Sequence, residues 1–358
     1  MIMNKALIAM SGGVDSSVAA LFMKEHGYDC MGVTMKLFDN GDVGVPREHT
    51  CCSLDDIEDA RQVAYTLGIP YYVFNFSTRF KEDVIDKFVE AYENGRTPNP
   101  CIDCNRYLKF DKLFSRAKEL QYDFVVTGHY ARIEFDEVSG RYLLKKAIDL
   151  SKDQSYVLYS MTQEQLAHTI FPLGDKNKSE IREIAEKSGF VNARKHDSQD
   201  ICFVQNGNYA DFIEQYTGKT YPHGNFIDSN GTILGRHKGI IRYTIGQRKG
   251  LGLSLKQPMY VSCVNPEENT VILTPEEGLY TKTLTAKNIN LIAVPYLNGE
   301  VRLKAKVRYR QQEQWATVTQ TDEDTLKVDF DEPQRAVTKG QSVVLYDGDI
   351  VVGGGIIQ

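Results

Sequence analysis

Apolar positions follow one kind of pattern over the first two hundred residues and another over the last hundred and fifty. The runs Ala6–Met10, Cys30–Met35, Tyr71–Phe76 and Phe124–Thr127 are almost continuously apolar, as strands covered on both faces should be. Between them apolar residues recur at helical spacing: Ile57, Ala60, Ala64 and Leu67; then Phe80, Val84, Phe88 and Ala91; then Phe110, Leu113, Phe114, Ala117 and Leu120. The first of these helices opens on Ser53-Leu54-Asp55-Asp56, which reads as a capping box. Strand and helix in alternation predict an α/β fold: a doubly wound parallel sheet over residues 1–205, with ligands at the carboxyl ends of its strands.

After about residue 205 the helical period gives way to short alternating strands and turn residues. Short strands are expected at Val271–Thr274, Leu284–Asn288, Val301–Arg310, Trp315–Thr321 and Leu326–Phe330, with a β-rich middle segment over 206–280. The hairpin Val343–Tyr346/Ile350–Val352 turns at Asp347-Gly348, and together these predict a small C-terminal β-barrel over 281–358.

The first strand runs into Ser11-Gly12-Gly13-Val14-Asp15-Ser16, which opens an amphipathic helix. Two glycines let the backbone approach a ligand, and the free N–H groups of the first helical turn attract an anion. The lysine and the spacing of a Walker A loop are absent. Asp15 is out of place in a socket that holds only phosphate; it fits one that shares a magnesium ion or orients the turn. A plain helix N-cap on a Gly-Gly turn is the competing reading. Ser-Gly-Gly-x-Asp-Ser directly after a first strand resembles the PP-loop of the ATP pyrophosphatases, which split ATP into AMP and pyrophosphate to adenylate an oxygen.

Composition narrows the class. In 358 residues, 42% apolar and 25% charged, no run is long enough to span a membrane and no secretory leader is visible, which predicts a cytoplasmic protein. The net charge of −6 means that any nucleic-acid site must be a local basic patch. Seven cysteines (30, 51, 52, 101, 104, 202, 263) in such a chain point to thiol or metal chemistry, not a disulfide scaffold. Cys30 and Cys263 sit in apolar strands and read as buried small hydrophobes. Cys51-Cys52 stay unassigned. Cys101 and Cys104 lie in Gly95-Arg96-Thr97-Pro98-Asn99-Pro100-Cys101-Ile102-Asp103-Cys104-Asn105, where two prolines predict a rigid loop presenting two thiols.

With these cysteines the resemblance becomes specific. The PP-loop, the Thr-Pro-Asn-Pro loop with its Cys-Asn, Gly128-His129-Tyr130, Lys152-Asp153-Gln154-Ser155, the Asp-Ser-x-x-Ile-Cys-Phe run ending at Phe203, Tyr243–Gly250 and the final Gly353-Gly354-Gly355 occur in order. In that combination the chain resembles the tRNA-specific 2-thiouridylases. The resemblance implies adenylation of the C2 carbonyl oxygen of a wobble uridine by ATP with Mg2+, followed by replacement of that oxygen by sulfur. It assigns ATP to Ala9, Met10, Ser11, Gly12, Gly13, Val14, Asp15, Ser16, Met35 and Gly128. Met35 reads equally well as core filler. Cys104 matches the nucleophile and Cys202 the persulfide carrier, which agrees with a thiolate attacking an activated carbonyl carbon. Asn99, Pro100, Cys101 and His129 fall around the target base. Lys152, Asp153, Gln154, Tyr309, Arg310 and Gln341 fall on tRNA-contacting positions. The implied partners are tRNA and a sulfur donor, such as a cysteine desulfurase or a sulfur-relay protein.

The chain departs from the family pattern at Cys101, where many members carry an acidic Asp thought to assist catalysis. Asp103 is two residues away and cannot be assumed to replace it. Two readings stay open: a Cys104/Cys202 persulfide relay, or a [4Fe–4S] cluster on Cys101, Cys104 and Cys202 with one iron free to bind sulfide. Unimpaired anaerobic thiolation by Cys101→Ala would exclude the cluster.

Two basic features are candidates for RNA. Arg236, His237, Lys238, Arg242, Arg248 and Lys249 gather in the middle segment. In Val301–Arg310, Arg302, Lys304, Lys306, Arg308 and Arg310 alternate with apolar residues, which predicts a basic stripe roughly 26 Å long on one strand face. The competing reading is a solvated face paired with acids on a neighbouring strand. Two other functions fit parts of the sequence. A PP-loop ligase adenylating a small-molecule carbonyl leaves the cysteines idle, and a redox- or iron-sensing RNA-binding protein leaves the phosphate loop idle.

Overall fold

The computed structural model describes residues 3–38, 54–195, 200–204 and 207–358. Chain order begins with β1 (Lys5–Ala9), β2 (Asp29–Lys36), β3 (Tyr71–Asn75), β4 (Phe124–Val126), β5 (Ala131–Asp136), β6 (Arg141–Lys146) and β7 (Thr169–Ile170). Five of these form a parallel sheet in the order β3-β2-β1-β4-β7, so their carboxyl ends share one edge. Ala6 and Ile8 of β1 face a cluster with Val18, Ala60 and Ile181, while Leu7 faces Leu113, Phe114 and Ala117. Period two thus splits one apolar strand between two helical layers, as the doubly wound reading expects. β3 departs from it: as an edge strand it leaves Tyr72 and Val73 exposed.

The predicted helices form, with local irregularities. Helix α1 is Val14–Glu25 and α2 is Leu54–Leu67. The capping Ser53 and the Cys51-Cys52 pair lie outside the described residues. Helical residues 77–93 (α3) and 100–119 (α4) each contain a widened π turn, at Lys81–Ile85 and Cys104–Lys112. α4 overturns the rigid-loop expectation for the two thiols. Pro100 sits at the first helical position, where its missing N–H costs nothing, and Asn99 caps the helix by accepting from the Cys101 N–H at 3.2 Å. Cys101 and Cys104 therefore ride one helix at i, i+3.

The middle segment holds helix α5 (Tyr209–Thr217) and a four-stranded sheet of β8 (Gly224–Ile227), β9 (Ile233–His237), β10 (Tyr260–Asn265) and β11 (Thr270–Thr274), ordered β10-β11-β8-β9. It shares one core with α3: Phe80, Phe88, Phe203, Phe212, Val261 and Val271 belong to a single buried cluster. Cys30 is buried as expected, but Cys263 is exposed. A bulge between Val261 and Cys263 in the β10–β11 pairing turns Cys263 out while Val264 stays inside.

The last strands are β12 (Tyr280–Leu291), β13 (Glu300–Lys306), β14 (Gln314–Asp322), β15 (Thr325–Arg335), β16 (Ser342–Asp347) and β17 (Ile350–Ile357). Pairing of β12 with β17 closes these six into a barrel around Leu284, Leu303, Val318, Val328 and Leu345. The β5/β6 hairpin, which sequence reasoning missed, leaves the parallel sheet and joins the barrel through Ile350↔Lys145 and Val351↔Leu144. The first domain and the barrel thereby share a sheet.

The basic stripe does not survive folding. β13 ends at Lys306, and four of the five cations expected on the stripe are occupied. Arg302 forms two bonds to Asp331 at 2.8 and 2.7 Å, and Lys304 lies 3.7 Å from Glu313. Lys306 is half-buried between the Tyr156 and Tyr309 rings. The Arg308 guanidinium donates to the carbonyls of Ile245 and Ala336 and to Thr338 Oγ1. Arg310 stays exposed. Acids on β15 and on the approach to β14 neutralise what alternation placed on one face.

Candidate active site

The phosphate-loop residues meet at the carboxyl edge, between β1 and α1. Gly12 has φ +72°, and a Cβ there would lie 2.3 Å from the Asp56 carbonyl oxygen of α2. Only glycine fits this turn. A Cβ on Gly128, after β4, would fall 2.8 Å from the Ser16 nitrogen, so Gly128 lets β4 close over the first turn of α1. Ser16 Oγ accepts from the Ser11 N–H and donates to the Gly13 carbonyl, folding the loop on itself. Ser11 is exposed at its mouth, while Met10 and Val14 are core anchors and Ala9 is half-buried. Met35, half-buried at the end of β2, packs against two clusters, consistent with its reading as core filler.

Sequence reasoning missed the other wall of this loop, the segment 178–195. Buried Asn192 donates from Nδ2 to the Gly12 carbonyl and to Ser17 Oγ, both at 2.9 Å. Lys178 Nζ lies 2.7 and 2.8 Å from the two Asp15 carboxylate oxygens, and Tyr130 OH donates to the same group at 2.8 Å. Asp15 is held in place from two sides. No motif pointed to Lys178, because Asn-Lys-Ser-Glu reads as an ordinary exposed helix start.

His129 is buried behind Gly128. Lys109 Nζ, a donor only, lies 3.4 Å from its Nε2, so Nδ1 carries the proton and donates to Thr127 Oγ1 at 2.6 Å. Burial, then the Lys109 charge, hold its pKa well below the usual histidine value. The ring is a neutral wall of the site.

Cys104 and Cys202 are half-buried and pack against the same cluster, which spans α3 and the middle domain, while Cys101 is exposed at the start of α4. Phe203, fully buried in that cluster, anchors Cys202; Asp197-Ser198-Gln199 of its motif lie outside the described residues. Among the described residues no three Cys, His, Asp or Glu side chains are grouped to hold a metal ion. Of the two open readings, the cluster on Cys101, Cys104 and Cys202 therefore has no grouped ligand set among the described residues. Asp103, between the two helix cysteines, has its pKa raised to about 6 by burial, against the opposing pull of Lys87 and Arg106.

The barrel reaches into this site. Gln341 donates to the Thr97 and Pro98 carbonyls at 2.7 and 3.2 Å, and the Thr97 N–H donates to the Lys339 carbonyl, fixing the approach to Asn99 and Pro100. Tyr309 OH donates to the Asp153 carbonyl; burial first, then the charges of Asp153 and Cys101, push its pKa up. The Asp153 carboxylate accepts from the N–H groups of Ala147 and Ser155, and Gln154 Oε1 accepts from the Tyr130 N–H, so both side chains serve the local fold. Lys152 is half-buried beside them.

A phosphate-cradling turn at the carboxyl edge of a parallel sheet covered by helices on both faces defines an α/β protein of the PP-loop class. Family models agree along the whole chain: a tRNA methyl transferase HUP domain matches residues 4–206, a tRNA methyl transferase PRC-barrel domain 210–275, and an aminomethyltransferase beta-barrel domain 281–357. The tRNA-specific 2-thiouridylase MnmA of Clostridioides difficile (strain 630) is 54% identical, covering 100% of this chain and 99% of that protein. The tRNA-specific 2-thiouridylase MnmA 2 of Caldanaerobacter subterraneus subsp. tengcongensis is 52% identical over 99% of this chain and 98% of its own. Among solved structures, a 4-thiouridine synthetase–RNA complex with bound ATP matches with TM-score 0.39 and 20% identity, over 60% of this chain and 50% of that one. The chain belongs to the tRNA-specific 2-thiouridylase family.

Among the described residues no helix is long and apolar enough to cross a membrane.

Proposed function

We propose that this protein is an ATP-dependent tRNA-uridine 2-sulfurtransferase that works in the cytoplasm and forms 2-thiouridine at the wobble position. The observation that supports the reading is a phosphate cradle after β1 together with half-buried Cys104 and Cys202, which pack against one cluster that takes in Met35, Leu37 and Phe38 at the carboxyl end of the neighbouring β2. The backbone N–H groups of the loop from Ser11 to Ser16 receive the ATP polyphosphate. Magnesium would supply counter-charge to those phosphates, and Asp15 is the side chain that would share it while keeping its contact with Lys178. The C2 oxygen of the uridine attacks the α-phosphorus and pyrophosphate leaves. The terminal sulfur of a Cys202 persulfide, loaded by the sulfur-donor protein, then attacks C2 and AMP departs with the oxygen. Cys104 attacks the Cys202 sulfur, releasing 2-thiouridine and leaving a Cys104–Cys202 disulfide for an external thiol to reduce. Neutral His129 offers the flipped base a wall without a charge.

We prefer the relay to an iron–sulfur cluster because Cys104 and Cys202 pack against one cluster of side chains and no three metal-ligating side chains are grouped among the described residues, and no step is routed through iron. The test is pyrophosphate release and 2-thiouridine formation with ATP, tRNA and a persulfide donor. Release that depends on tRNA supports the reading; release driven by a small acceptor, or none, overturns it. Cys202→Ala and Cys104→Ala should each abolish thiolation yet keep adenylation. About four irons per chain in protein purified without oxygen, lost with Cys101→Ala together with activity, would overturn the relay.

A further inference from the structure

Lys178 is placed against ordinary preference. It is the first residue of helix Lys178–Lys187, where the helix dipole favours an acid, and its side chain is only 10% exposed. A lysine gives up its hydration only for good partners, and here they are the Asp15 carboxylate on both oxygens and the Tyr130 ring at 5.6 Å. Its main chain is fixed as well. The Lys178 N–H donates to Asp149 at 3.2 Å, and Asn177 with Glu180 closes a capping box around the helix start. A residue that breaks local rules yet is held this firmly belongs to the group that marks functional sites.

Its partner supplies the reason. Asp15 lies in the first turn of α1, one residue before Ser16, whose hydroxyl folds the phosphate loop. A polyphosphate seated on that loop brings several negative charges up to a carboxylate, and a cation between them offsets the repulsion.

On the reading that the loop binds ATP, we propose that Lys178 is a catalytic residue of the adenylation step: its ammonium, held by Asp15 in the resting protein, contacts the leaving pyrophosphate. When the uridine oxygen attacks, the bond from the α-phosphorus to its bridging oxygen breaks and that electron pair stays with pyrophosphate. Lys178 keeps its proton throughout; it stabilises the growing charge by proximity, as a preorganised donor does. Asp15 and Tyr130 aim the ammonium, so no reorganisation is needed as the bond breaks.

The test uses full-length Lys178→Met and Lys178→Arg proteins with tRNA, in single turnover at saturating ATP. Loss of one such donor typically slows the chemical step about 10²- to 10³-fold. Lys178→Met should slow pyrophosphate release by that factor with its melting temperature retained, and Lys178→Arg should recover most of the rate. Weaker ATP binding with an unchanged rate at saturation would make Lys178 a buttress of the loop and overturn the proposal. If Lys178→Met does not fold, Lys178→Gln carries the test: wild-type ATP affinity with a slowed release supports the proposal, and a wild-type rate at saturation overturns it. Failure of the wild-type protein to release pyrophosphate would instead refute the ATP reading itself.

Discussion

Two buried titratable groups flank the site, and they bend stability with pH in opposite directions. His129 has its folded pKa held well below the unfolded value. The unfolded chain therefore takes up more protons as pH falls, and the stability present above about pH 6.5 is lost below it. Asp103 is the reverse: its folded pKa is raised from 3.8 to about 6, so ionisation on folding costs stability that is absent below pH 3.8 and complete above about 6. His129→Gln should flatten the fall in melting temperature between pH 7.5 and 5.5. Asp103→Asn should stabilise the protein at pH 7, by up to about 3 kcal/mol for a two-unit shift, and do nothing near pH 3.5. Denaturant titrations at the two pH values check both. The sequence named both residues, but their protonation depends on burial and on Lys109 or Lys87, which are distant in sequence.

Elements show where pattern reading stops. The apolar face of α4 is plain in Phe110, Leu113 and Phe114, yet its start is not, because Pro100 reads as a breaker and is an initiator. Asn99→Ala removes the side-chain oxygen that caps Cys101 and should cost about 1 kcal/mol. It should also raise the alkylation rate of Cys104 as the first turn frays, whereas Asn99→Ser should do neither. The bulge in β10 gives a second test. Cys263 should react readily with a thiol reagent in the native protein. Cys30, buried and with its pKa raised to about 11 chiefly by desolvation, should resist until unfolding. Mass spectrometry of partially labelled protein reads both outcomes.

At the scale of the molecule, the barrel supports the candidate site. Through Gln341 and Lys339 it holds Thr97 and Pro98, and through β17 it extends the hairpin that follows His129. Arg308 shares this structural role, so Arg308→Glu should unfold or strongly destabilise the protein, by roughly 3 kcal/mol or more, since it buries an unpaired charge and orphans two carbonyls. Arg310→Glu, on the exposed side, should leave stability unchanged. It should weaken tRNA binding and lower the salt slope by about one counterion. Equal tRNA affinity in the Arg310 variant, measured at two salt concentrations, would remove Arg310 from the RNA surface.

By itself the sequence determined the alternation of strands and helices, the glycine turn after β1, the closing barrel and the candidate cysteines. These follow from local period, turn residues and short motifs, which act over a few residues. Tertiary structure alone decided that β5 and β6 belong to the barrel, that a bulge turns Cys263 outward and that the stripe on β13 is neutralised by Asp331, Glu313 and backbone carbonyls. It also brought Lys178 to Asp15 across 163 positions. Pairing, burial and charge compensation depend on which distant residues become neighbours, and no periodicity within a segment encodes that.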